Sequence, residues 1–453
     1  MAQPSRFLVL SAFVGLSIAL SPRDLRAQEE EEVEPARASI FFEPVNFIAD
    51  DTTKSRVDFN FNIPYDFFVF VRSSSNPDDY VARGEISVEV LNSRGLSIAT
   101  DIVHKELHQS ETVGLTAKTH GTVQGNFSFT LEPGTYRTIF EVSDLESRRR
   151  IVDRDREITL KRFSDSTQVF SGVLVLNRLE IENDSLISAF PINLGGNATF
   201  GKNFALFFQS TGARKSPETV HYSIHKLDLT NKRLTVLEDS VRPDPRFLNC
   251  RLEALERDSG LVYSFRPRKV GPRVNTYLIN IRGDTLQWGQ YDIEVRGSGK
   301  AVARKSFAIR WLTMPRCLTD MATATEALQY LMSANEFEEF MKLSDEEMKK
   351  QLEIFWKKRD PTPKTAYNEA MAEYYQRCDY ALENFRTLSH ADGIKTDRGK
   401  IYVLYGPPTK TDRFLTPNTS PKEIWYYDNL QLKFVFIDES RSGNYKLLSS
   451  EKL

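Results

Sequence analysis

Leu131-Glu132-Pro133-Gly134-Thr135-Tyr136 and Leu286-Gln287-Trp288-Gly289-Gln290-Tyr291 share one pattern, Leu-x-x-Gly-x-Tyr, and each runs straight into a β-like segment. After the first comes Arg137-Thr138-Ile139-Phe140-Glu141-Val142, then a charged turn and a last strand, Arg156-Glu157-Ile158-Thr159-Leu160. After the second comes Asp292-Ile293-Glu294-Val295, closed by Lys305-Ser306-Phe307-Ala308-Ile309. Glycine permits a tight entry turn, and tyrosine packs its ring while its hydroxyl stays wet. The recurrence near the end of two segments of similar length points to two related sandwich domains.

The surrounding residues carry the matching texture. Val57-Asp58-Phe59-Asn60-Phe61-Asn62-Ile63, Ile86-Ser87-Val88-Glu89-Val90 and Asn126-Phe127-Ser128-Phe129-Thr130-Leu131 all alternate with period two. Such a run buries one face and wets the other, as sandwich strands do. Pro243-Asp244-Pro245 and Arg266-Pro267-Arg268 read as loops inside the second sandwich.

At Pro315 the texture turns helical. Thr323-Ala324-Thr325-Glu326 and Ser344-Asp345-Glu346-Glu347 both have capping-box form. Met348, Leu352, Phe355 and Trp356 then recur at helical spacing until Asp360-Pro361 ends the helix. A longer helix is expected over about 366–388, with Tyr367, Met371, Tyr374, Cys378, Ala381 and Phe385 as its apolar stripe, sharing one core with Trp356. Strands are expected to return at Ile401 to Tyr405, Ile424 to Tyr427 and Leu432 to Ile437.

Phe355-Trp356-x-x-Arg359-Asp360-Pro361-x-Pro363, Asn368-Glu369, Tyr374, Arg377, Thr396-Asp397-Arg398-Gly399-Lys400-Ile401-Tyr402, Tyr405-Gly406-Pro407-Pro408 and Ile424-Trp425-x-Tyr427 follow one another in order. In these residues the chain from about Leu328 onward resembles the GWxTD domain, a module of exported bacterial proteins whose biochemical role is not established. One position departs from the family: Gly393-Ile394-Lys395-Thr396-Asp397 has Ile394 where the name-giving tryptophan stands. The resemblance implies β-rich segments upstream, in agreement with the alternation above.

Two readings of these residues compete. In the structural one, Asp360-Pro361 ends a helix, Asp397 accepts local amides in a turn, and arginines 359, 377 and 398 pair with Asp360, Glu369, Glu373 or Asp397. In the functional one, Arg359, Asp360, Asn368, Glu369, Arg377, Thr396, Asp397, Arg398, Trp425 and Tyr427 line a binding groove, since arginine and aromatic residues are enriched at binding surfaces. Cys317 and Cys378 are the candidate disulfide pair; three spaced cysteines make no framework. His104-Lys105-Glu106-Leu107-His108 has Glu in the wrong place for a zinc helix, and His221 and His225 stand roughly 13 Å apart along a strand. No residue pattern calls for a cofactor, a metal or a catalytic nucleophile.

The N-terminus sets the expected compartment. Arg6 precedes an apolar run from Phe7 to Leu20, and Leu25-Arg26-Ala27 offers a small residue for cleavage. Removing residues 1–27 takes away Arg6, Arg23 and Arg26 against Asp24, so the formal charge of −2 becomes −4. That weak acidity gives no electrostatic reason to bind nucleic acid. The mature part has no apolar stretch long enough for a transmembrane helix. The chain is therefore read as mainly β with a C-terminal α+β module. A signal peptide (1–27) and an acidic flexible leader (28–37) precede two tandem immunoglobulin-like β-sandwich domains (38–163 and 164–313) and a helical and stranded domain (317–453). The expected function is an exported, periplasmic or extracellular interaction or scaffold protein of the cell envelope, binding a protein partner through its C-terminal module. The alternative is a secreted hydrolase or carbohydrate-binding protein with its site in that module.

Overall fold

Alternation places Val57, Phe59, Phe61 and Ile63 on one face of a strand, and that face is fully buried. The computed structural model describes residues 40–453 apart from 77, 111–120, 165, 183–185, 213–217, 229–230, 258–259, 298–300, 388–391 and 418. The expected signal peptide and acidic leader lie outside the described residues. The chain is mainly β, with its helices concentrated in the last third.

Strands β1 (Phe41–Phe47), β2 (Ser55–Pro64) and β6 (Thr122–Leu131) form one antiparallel sheet. The facing sheet has β4 (Asp79–Leu91) between β5 (Ser97–Ser110) and β7 (Gly134–Asp144), with β8 (Arg150–Leu160) beyond β7 and the short β3 (Val71–Arg72) on β4. Val57, Phe59, Phe61 and Ile63 meet Ile86, Val88, Phe140 and Val142 between the sheets. The second half repeats this order. There β9 (Leu174–Glu182), β12 (Phe204–Thr211) and β17 (Val274–Ile281) take the places of β1, β2 and β6. Likewise β14 (Arg233–Val241), β13 (Val220–Leu227), β18 (Gly289–Arg296) and β19 (Val302–Arg310) repeat β5-β4-β7-β8. Strands β10 (Leu186–Pro191), β15 (Cys250–Arg257) and β16 (Gly260–Pro267) widen the first of these sheets, and β11 (Ala198–Thr199) runs parallel to β19.

The repeated Leu-x-x-Gly-x-Tyr segments do the same thing in both halves. The Tyr136 hydroxyl donates to the Glu132 carbonyl at 2.8 Å, and the Tyr291 hydroxyl to the Gln287 carbonyl at 2.8 Å. At Tyr291 the expected wet hydroxyl is thus corrected, since this phenol is buried and takes a backbone carbonyl four residues upstream in place of water, whereas the Tyr136 bond stays exposed. Tyr291 is buried, and desolvation pushes its phenol up to about 12. Tyr291→Phe leaves the Gln287 carbonyl without that donor and is expected to cost about 1–2 kcal/mol, read as a lower melting temperature. Tyr136→Phe, at a wetter corner, costs less.

Alternation also expected Asp58, Asn60 and Asn62 to face water. They are buried, because the second face of the β1-β2-β6 sheet packs on the β9-containing sheet. Val45 and Phe47 join Leu174, Leu176, Phe207 and Tyr263 there. The polar residues are paired within that seam: Arg56 with Asp58 at 2.5 Å, Ser128 Oγ donating to Asp58 at 2.8 Å, and the Tyr263 hydroxyl donating to Asn60 at 2.7 Å. Buried polar groups require such partners, so the seam fixes one arrangement of the two halves. Four sheets stack in succession.

The last third holds helices α1 (Met321–Glu326), α2 (Ala334–Phe340), α3 (Asp345–Lys357), α4 (Glu369–Asn384) and α5 (Asp397–Tyr405). An antiparallel meander follows: β20 (Lys410–Phe414), β21 (Lys422–Tyr427), β22 (Leu432–Ile437) and β23 (Lys446–Lys452). The Ser344–Glu347 capping box forms. The Thr323–Glu326 box does not, because Asp320 caps α1 one turn earlier, accepting from the Ala322 and Thr323 amides. Ile401 to Tyr405 is helix and not strand. Thr396 caps α5 and Gly406 ends it, and a short apolar run between them reads alike as either element. Trp356, Tyr374, Cys378, Ala381 and Phe385 do share one core. Tyr367 precedes α4 and leaves the stripe, its ring standing 5.4 Å from Phe200 and 5.7 Å from Trp311 on the second sandwich.

Candidate functional site

The ten candidate residues fall into two groups. The first occupies the turn between α3 and α4, where Pro361 and Pro363 stop one helix before the next begins. Asn368 caps α4 by accepting from the Met371 amide at 2.9 Å, and its side-chain amide donates to the Trp356 carbonyl at 2.9 Å. One side chain thus closes α3 and opens α4. Asp360 accepts from the Thr362 amide at 2.8 Å, and Glu369 from the Thr362 hydroxyl at 2.6 Å. Arg359 lies with its guanidinium 3.6 Å from the centre of the Phe355 ring.

The second group surrounds α5. Thr396 is buried; its hydroxyl donates to the Gly393 carbonyl at 2.8 Å and accepts from the Gly399 amide at 3.0 Å. The Asp397 carboxylate accepts from the Leu447 amide at 2.8 Å, tying α5 to β23. At the other end Arg377 donates to the Leu404 carbonyl at 3.3 Å and pairs with Glu373, while the Tyr427 hydroxyl donates to the Gly406 carbonyl at 2.9 Å. Gly406 has φ +78°, a conformation that disfavours side chains, and it sits against the Arg377 guanidinium. Arg398 does not pair with its neighbour Asp397. It bonds Glu423 at 3.1 Å and the Gly443 carbonyl at 3.1 Å, and lies 4.3 Å from the centre of the Tyr445 ring.

Glu423 is the residue that motif reading passed over. Its side chain is 4% exposed, and it accepts from the Trp425 indole at 2.9 Å as well as from Arg398. Glu423, Trp425 and Tyr427 alternate along β21, so the period that buries the two rings buries the carboxylate too. Trp425 itself packs on Phe385 and Phe436, with ring centres 5.5 Å and 4.9 Å away.

Two glycines explain why α5 lies where it does. A Cβ on Gly393 would stand 2.0 Å from the Ala381 carbonyl oxygen of α4, and one on Gly399 would stand 1.9 Å from the Gly393 carbonyl oxygen. The turn and the helix pack backbone against backbone. Between them Ile394 is buried in the core, and its carbonyl accepts from the Tyr330 hydroxyl at 2.9 Å.

Residues 298–453 match the GWxTD domain. The match takes in β19 and Trp311 as well as the helical and stranded part, so it spans the contact between Trp311 and Tyr367. No curated protein matches the sequence. Among solved structures the chain is similar to red sea bream transglutaminase at 8% identity and TM-score 0.15, covering 59% of this chain and 31% of that one. It is similar to Salmonella alpha-2-macroglobulin reacted with methylamine at 13% identity and TM-score 0.16, covering 63% and 17%. A third likeness, to pT26-6p, has 7% identity and TM-score 0.13, covering 81% and 85%. Likenesses this weak carry no argument about function.

In the GWxTD module the motif residues make contacts within the fold, in the two groups described. A cleft of roughly 370 Å³ lies elsewhere, beside Gln124, Arg178, Phe190, Lys202 and Leu261 of the sandwiches. The open side of the module's sheet is a different matter. Ile424 and Tyr426 alternate outward on β21 beside Val435 and Lys433 of β22, and Lys410 of β20 stands 5.1 Å from the centre of the Tyr426 ring. Phe414 and Leu415, at the end of β20, are 51% and 69% exposed.

Cys317 and Cys378 are both buried free thiols in the module's core. A hydrogen bond between the Cys378 and Cys317 thiols, together with burial, pushes the Cys317 thiol far above its usual range. A thiol reagent is expected to label half-buried Cys250 in the native chain and the other two only on unfolding. Recovery of one thiol in the unfolded, unreduced chain would show the pair to be bridged.

Proposed function

We propose that this chain is an exported, non-enzymatic interaction or scaffold protein of the bacterial cell envelope that binds a protein partner through its C-terminal module. The observation that carries the reading is the open sheet face, where Ile424, Tyr426 and Val435 lie among Lys410 and Lys433, with Phe414 exposed at its rim. Aromatic and aliphatic side chains framed by polar ones suit a protein interface. The hydrolase or carbohydrate-binding reading lacks a comparable observation, since Asp397 already holds the Leu447 amide. In this proposal the sandwiches are immunoglobulin-like modules. Their tyrosine corners and repeated strand order support that assignment, and the polar seam between them makes a stiff stalk.

The test is crosslinking in the producing cells, comparing wild type with Ile424→Glu/Tyr426→Glu. Recovery of a specific protein with wild type and its loss with the variant, at unchanged melting temperature, is the expected result. An identical set of crosslinked proteins from both would overturn the proposal.

A further inference from the structure

Strand β14 ends its sheet, pairing with β13 on one side only among the described residues. Its side chains are poorly covered: Leu234 is 66% exposed and Val236 38%. A long edge strand with free backbone donors and acceptors is a template for another strand. Exposure alone does not say which strand.

The charge pattern does. Lys232-Arg233-Leu234-Thr235-Val236-Leu237-Glu238-Asp239 is basic at one end, acidic at the other and apolar between. Turned antiparallel on itself, it sets Lys232 against Asp239, Arg233 against Glu238 and Leu234 against Leu237 of a second copy. Residues opposed across an antiparallel pair must lie on the same face, and partners five residues apart on a regular strand lie on opposite faces. Here the difference is removed by a bulge. Leu237 stands opposite Ile224 and Thr235 opposite His225, so Val236 is an extra residue. Arg233 and Glu238, opposite Leu227 and Ser223, therefore share one face, and Leu234 and Leu237, opposite Lys226 and Ile224, share the other. The bulge that would spoil pairing with an ordinary strand makes this strand self-complementary.

We infer that a second copy of this chain docks on β14, the two strands pairing antiparallel about a two-fold axis near Thr235 and Val236. The contact is isologous and closes on itself, giving a dimer and no fibre. Arg233 bonds Asp292 at 2.7 Å within the chain, and its side chain, 46% exposed, keeps further guanidinium donors for the second copy.

Sedimentation of the full chain over a concentration series tests this, with two charge-swapped variants: Lys232→Glu/Arg233→Glu and Glu238→Lys/Asp239→Lys. Wild type is expected to dimerise, and each variant alone, now facing its own sign of charge, to dimerise at least about tenfold more weakly. An equal mixture of the two variants regains the dimer, which also shows that both are folded. A wild type that stays monomeric up to about 100 μM, variants that dimerise like wild type, or a mixture that stays monomeric would each overturn the inference.

Discussion

Gly399→Ala leaves the C-terminal module without a stable fold. The added methyl would stand 1.9 Å from the Gly393 carbonyl oxygen and 3.0 Å from that of Ile394, and both obstacles are backbone. Relief requires α5 to move off the preceding turn. That movement breaks the Thr396 bonds to Gly393 and Gly399 and opens the core around Ile394, Ile401 and Tyr402. Overpacking with side-chain relief costs about 1–3 kcal/mol; here no side chain gives way, so a loss above about 4 kcal/mol is expected. That is a large part of the stability of an ordinary domain. Trp356 and Trp425 report on this core, and their fluorescence should resemble that of the unfolded chain at room temperature. Retention of the native emission and melting profile would refute the prediction.

Glu423→Ala is the second large effect. The carboxylate accepts from Arg398, whose side chain is 14% exposed, and from the Trp425 indole, so its removal strands one enclosed charge and one enclosed donor. Breaking a buried pair from one side costs about 3–5 kcal/mol. Arg413 also reaches Glu423, at 3.5 Å, but its side chain is 68% exposed and should contribute little. Glu423→Gln, which keeps an acceptor for the indole, is expected to lose about half as much. In Glu423→Leu/Arg398→Met the charge and its partner leave together, and the part of the loss that came from the stranded charge should return, while the Trp425 indole and the Gly443 carbonyl still lack their partners. Denaturant unfolding followed by tryptophan fluorescence distinguishes the three. Equal losses for Ala and Gln would show that the ion pair alone matters.

The sandwich strands were legible because alternation is a direct record of one buried face, and the Leu-x-x-Gly-x-Tyr repeat marked equivalent corners in both halves. What alternation could not record was a second burial. Asp58, Asn60 and Asn62 look like water-facing residues, and only the neighbouring sheet makes them interior. The C-terminal module was readable where caps are unambiguous, as at Ser344, and misread at Ile401 to Tyr405. There the deciding contacts are distant in sequence: Leu447 on Asp397 and Tyr427 on Gly406. Among the motif arginines the expected pairing of Arg377 with Glu373 forms, and the partner of Arg398 was missed. Arg398 turns to Glu423, 25 positions on, and not to the adjacent Asp397.

Native-state amide hydrogen exchange tests most directly whether the motif builds the module. The amides of Gly399, Leu447 and Met371 each bond a motif side chain, namely Thr396, Asp397 and Asn368. They are expected to exchange only as fast as the module unfolds globally, and Asp397→Ala should speed Leu447 well ahead of the others. If all three exchange within seconds in the intact chain, the motif side chains are not holding the fold, and their role must be sought elsewhere.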